Sequence, residues 1–121
     1  MQINPADLEQ WRRAMADYPG VLRSLETIED CEGDLEDAAI TLAIQSNLEP
    51  DSRDRWLASY TKRFRPLICQ PDFRQSLRQG DVISLVRHLV GTDSGCPEVL
   101  AMPVALQIMS EGIERFCVGF A

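Results

Sequence analysis

Apolar side chains recur at spacings of three and four through most of this chain, the period of a buried helix face. Leu8, Trp11 and Met15 set the pattern, and Val21, Leu22, Leu25 and Ile28 repeat it. Leu35, Ala38, Ala39, Leu42 and Ala43 follow, then Trp56, Leu57, Tyr60 and Phe64, and finally Leu106, Met109, Ile113 and Phe116. The punctuation agrees with helices. Asn4 is placed as an N-cap, Pro5 as N1 and Asp7 as N3, with Ile3 and Leu8 as a hydrophobic staple. Pro19-Gly20 is expected to end that first helix, and a second runs from Gly20 to about Asp30. Cys31 to Gly33 reads as a loop, and Asp34 caps a helix to about Leu48. Its alanines favour helix and close approach, which suits a central element.

Further on, Asp51 or Ser52 caps the aromatic helix, and Pro66 disfavours helical geometry at Arg65, setting a boundary there. Pro66 to Gln70 forms one turn, and Gln70-Pro71-Asp72 opens a helix carrying Phe73 and Leu77, with Gly80 at C′. Val82 to Val90 is apolar on nearly every side and is expected to be buried. Val82 to Val86 also suits a strand, but Asp81 before the segment and Gly91 after it favour helix. Pro97 opens the last helical region, which Pro103 should break or kink near Met102. The expectation is an all-α fold: one compact bundle of six or seven helices over residues 1–121, with short connections favouring antiparallel neighbours.

Charge is sorted along this scaffold. Residues 1–51 carry a formal net of −9, residues 52–92 of +5 and residues 93–121 of −3, for −7 in all. Such separation points to two electrostatic faces or to one half neutralising the other. The acidic candidates are Glu26, Glu29, Asp30 and Glu32, continuing through Asp34, Glu36 and Asp37. The basic candidates are Arg53, Arg55, Lys62, Arg63, Arg65, Arg74 and Arg78, with Arg87 beyond them. Eleven of the twelve bases are arginine, the side chain that pairs in bidentate fashion with carboxylate or phosphate.

The acidic run fails as an EF-hand. Counting from Asp30 as position 1 places Leu35 where the loop needs glycine and Thr41 where it needs glutamate. The single histidine, His88, sits within an apolar helix and reads as a core residue. Cys31, Cys69, Cys96 and Cys117 contain no close pair and read as buried free thiols; Cys96, between Gly95 and Pro97, is the one expected to be exposed and activated. No phosphate-binding glycine loop, dinucleotide fingerprint or His-Glu-x-x-His zinc motif is present, so no catalytic residue, metal or cofactor is assigned. No apolar run reaches the length of a membrane span, and the N-terminus lacks the signs of a signal peptide, which points to a cytoplasmic protein.

Two stretches carry a resemblance. Arg65-Pro66-Leu67-Ile68-Cys69-Gln70-Pro71-Asp72-Phe73-Arg74 and Gly112-Ile113-Glu114-Arg115-Phe116-Cys117 resemble small, uncharacterised helical proteins of cyanobacteria. The resemblance spans about a quarter of the chain and implies a bacterial cytoplasmic setting, with no activity and no site residues.

These readings favour a non-catalytic protein-interaction or regulatory module that meets a protein partner, or its own copy, through charged faces. Two readings of other classes stand beside it. The arginine-rich face, with Trp56, Tyr60, Phe64 and Phe73 interleaved, suits nucleic acid or a phosphorylated ligand if the arginines converge on one open groove. A thiol enzyme or redox sensor needs one exposed cysteine near a base. The apolar ending, Phe116, Val118 and Phe120, is expected to close the core rather than form a patch.

Overall fold

A computed structural model describes residues 3–50, 56–71, 74, 82–91 and 94–119, and every regular element among them is helical. The first helix, α1 (Pro5–Ala14), begins as its capping residues dictate: the Asn4 side chain accepts the Asp7 N–H at 2.9 Å. It stops at Met15, short of Pro19. Pro19 instead opens α2 (Pro19–Asp30), where its missing N–H costs nothing. One residue on, the Gly20 N–H donates to the Glu98 carboxylate at 2.6 Å. A Cβ at Gly20 would lie 2.6 Å from that same oxygen, so only glycine permits the approach.

α2 and α3 (Leu35–Gln45) end alike. Gly33 N–H reaches Ile28 O at 2.9 Å and Glu32 N–H reaches Glu29 O at 3.0 Å; Leu48 N–H reaches Ala43 O at 2.9 Å and Asn47 N–H reaches Ile44 O at 3.1 Å. These are Schellman closures, with Glu32 (φ 57°) and Asn47 (φ 62°) in the left-handed position that glycine usually fills. Asp34 caps α3 by accepting the Asp37 N–H at 3.1 Å, as expected, although the helix ends at Gln45 rather than near Leu48.

The aromatic segment forms α4 (Trp56–Thr61), a 3₁₀ turn (Lys62–Phe64) and α5 (Arg65–Ile68). Arg65 is helical (φ −54°, ψ −44°) despite preceding Pro66, which corrects the expectation from sequence. Its side chain is held twice: Nε–H donates to Phe116 O at 2.9 Å, and the guanidinium lies 5.5 Å from the Phe116 ring centroid. The capping roles of Asp51, Ser52 and Asp81, the Phe73–Leu77 helix and Gly80 lie outside the described residues.

The centre of the bundle is α7 (Glu98–Glu111), which packs against α2, α3, α4, α6 (Val82–Gly91) and α8 (Ile113–Phe116). Every residue from Leu100 to Leu106 is buried. Each fully buried Leu, Ile or Met adds about 1.5–3 kcal/mol relative to leaving it in water. Two expectations are corrected here. The all-round buried helix is α7, not Val82–Val90, whose buried residues are Val82, Leu85, Val86 and Leu89 along one face. And of the break or kink expected at Pro103, the break does not occur: the helix continues to Glu111. Packing on every side offsets the one backbone hydrogen bond that proline removes.

Cys69 and Cys117 are joined in a disulfide across 48 residues of sequence, so the reading of four free thiols is corrected; Cys31 and Cys96 are free. The bridge ties the end of α5 to the residue after α8. Phe116 and Cys117 are buried and close the core, whereas Val118 is 72% exposed. Phe120 lies outside the described residues.

Candidate interaction surfaces

The acidic candidates are gathered at one end of the bundle, around the close of α2 and the turn into α3. Glu26, Glu29, Asp30 and Glu32 are all exposed. Glu29 pairs with Arg12 at 3.1 Å; Glu26, Asp30 and Glu32 have no ion-pair partner among the described residues. α2 has no acid in its first turn and no base in its last. Its acids therefore crowd the negative end of the helix dipole, an arrangement that costs about 0.3–1 kcal/mol per charge at low salt. The field is felt nearby: burial raises the Cys31 thiol pKa, and Asp37, Asp34 and Asp30 push it higher still.

A groove of about 240 Å³ opens beside these acids, lined by Ile3, Pro5, Leu8, Ile28, Glu29, Glu32 and Gly33. A wider depression of about 540 Å³ runs along the outer face of α1, past Ala6, Glu9, Gln10, Arg13 and Ala14. Its charges neutralise each other, since Glu9 and Arg13 pair at 2.9 Å.

Among the described residues the basic candidates do not form a matching open face. Lys62 and Arg63 are exposed. Arg63 lies over the Tyr60 ring, 4.7 Å from its centroid. Arg65 is bound to Phe116, and Arg74 pairs with Glu114 at 3.2 Å. Arg87 sits apart, donating to Ala14 O at 3.3 Å. Arg53, Arg55 and Arg78 lie outside the described residues. Trp56, Tyr60 and Phe64 do not form a base-stacking platform either. Trp56 stacks on Tyr60 at 4.8 Å and Tyr60 meets Phe64 edge-on at 5.5 Å, with Tyr60 and Phe64 buried. Among the described residues the two charged runs do not meet through arginine. Glu36 instead caps α4, its carboxylate accepting the Leu57 N–H at 2.9 Å and the Ala58 N–H at 3.3 Å.

The thiols offer little nucleophilic character. Cys96, expected to be exposed and activated, is half-buried, and burial pushes its pKa up from an ordinary 9.0 to about 12. Its thiolate is thus scarcer at neutral pH than that of a free cysteine. His88 is half-buried on α6, and desolvation lowers its pKa. Among the described residues no group of three or more His, Cys, Asp or Glu is arranged to hold a metal ion, and no helix is long and apolar enough to cross a membrane.

Sequence reasoning did not anticipate three of the features that shape these surfaces. The cap from Glu36 to α4, the anchor from Arg65 to Phe116 and the Cys69–Cys117 bridge each join distant segments. The segments 65–74 and 112–117 meet here as well, through that bridge, the Arg65 hydrogen bond and the Arg74–Glu114 pair. Comparison with protein families, curated proteins and solved structures finds no match to this chain.

Proposed function

We propose that this chain is a non-catalytic protein-interaction module that docks a partner through the acidic end of the bundle. The observation that carries the reading is the exposed set Glu26, Asp30 and Glu32, which have no cationic partner among the described residues and stand at the negative end of α2. Charges left against a helix dipole lower the stability of the free protein, and an oppositely charged partner reverses that cost on docking. The committed contacts of Arg65 and Arg74 remove support from nucleic acid or a phosphorylated ligand as the target. A partner of net positive charge fits better than a second copy, because two copies each bring −7.

The setting under this reading is the cytoplasm, in keeping with the likeness to small cyanobacterial proteins. The Cys69–Cys117 bridge then has to survive reducing thiols. Its cysteines are only 2% and 1% exposed, so their burial shields the bridge from a reductant. Native mass spectrometry of the protein gently isolated from its own cells, across a salt series, tests the function. Extra mass that leaves as salt rises is the expected result. A bare monomer at every salt, or a complex indifferent to salt, overturns the charge-docking mechanism.

A further inference from the structure

We propose that the groove between the start of α1 and the end of α2 seats one lysine or arginine side chain projecting from a basic protein partner. The inference rests on the interaction reading above and names the place and chemistry of contact. The apolar lining open to an occupant is Ile3 and Pro5, with Leu8 only 5% exposed and Ile28 fully buried beneath it, and Glu29 and Glu32 stand at its side. That combination matches a long basic side chain, which lays its methylene stem on apolar surface and carries its charge at the tip. At about 240 Å³ the groove holds a side chain. A helix, about 10–12 Å across with its side chains, is too broad for it.

The charge at this spot comes from two sources that add. Glu29 and Glu32 contribute carboxylates, and the C-terminal carbonyls of α2 contribute the negative end of its dipole. Arg12 shows that a guanidinium is accepted here, since it reaches Glu29 at 3.1 Å while remaining 39% exposed. Glu32 makes no ion pair among the described residues and holds its left-handed conformation at the lip of the groove. A partner's cation meets Glu32 directly and shares Glu29 with Arg12. An acidic or uncharged apolar occupant would face the same two carboxylates without compensating them. A second copy is disfavoured by its own −7.

The test uses an amidated tetra-arginine peptide as probe, titrated into the full chain with methyl-labelled Leu and Ile followed by NMR. Two controls accompany it: the Glu29→Gln/Glu32→Gln double variant, and a peptide whose guanidiniums sit on one-methylene stems. Saturable shifts at the Ile3 and Leu8 methyls are expected. The double variant, with both substitutions at exposed positions and an unchanged spectrum of its own, should bind at least tenfold more weakly. The short-stemmed peptide, equal in charge, should bind severalfold more weakly. Equal affinity for the two peptides, or shifts confined to methyls outside the groove such as those of Leu35 and Ile40, overturns the groove while leaving a charged docking face in place. No saturable shift anywhere overturns the groove and the acidic docking face together.

Discussion

Glu32 occupies a backbone conformation that costs an L-residue with a Cβ about 1–2 kcal/mol, at the C′ position of α2 where glycine would pay nothing. Asn47 fills the corresponding place after α3, but asparagine tolerates it better. The strain and the unfavourable charge coincide at one exposed residue beside the groove. Glu32→Gly is therefore expected to stabilise the protein by about 1 kcal/mol, read as a higher urea midpoint with an unchanged slope. An unchanged or lower midpoint would contradict that account. At this scale much was legible in advance. Asn4 and Asp34 cap as expected because a cap is a contact within four residues, set by local sequence alone. The Cys96 thiol was misread because its pKa depends on what buries it, and that comes from elsewhere in the fold.

Among the elements, α4 depends on a residue of another helix. Its first N–H groups are met by Glu36, a first-turn residue of α3 that lies 21 positions from Leu57. One carboxylate thereby answers two orphan donors and places a negative charge at the positive end of α4. Glu36→Ala should cost about 1 kcal/mol in thermal or urea unfolding, while Glu36→Gln, which keeps one acceptor, should cost less. Equal losses for both would show that the contact acts through packing rather than capping. The same scale explains the prolines. Pro19 opens α2 where it was expected to end α1, and Pro103 sits inside a helix that it was expected to break or kink. Local rules describe what proline costs; neighbouring helices decide whether the chain accepts that cost.

For the whole molecule, the C-terminal segment is fastened to the α5 region three ways: by the Cys69–Cys117 bridge, by Arg65 to the Phe116 carbonyl and by Arg74 to Glu114. Closing a loop across 48 residues removes enough freedom from the unfolded chain to be worth roughly 4 kcal/mol in the chain-entropy account. Cys117→Ser, or unfolding under reducing conditions, should lower stability by about 2–4 kcal/mol. A midpoint insensitive to reductant would show that the noncovalent contacts alone hold the segment. The sequence by itself determined the helical class, the Asn4 and Asp34 caps and the apolar faces of α2 and α3, because period and capping are properties of neighbours along the chain. It also determined that acids and bases would be sorted into separate stretches. Only the tertiary structure decided which helix became the centre, which cysteines met, and which charges were used internally or left at the surface. Those outcomes depend on contacts between residues tens of positions apart, brought together only when the bundle packs around α7.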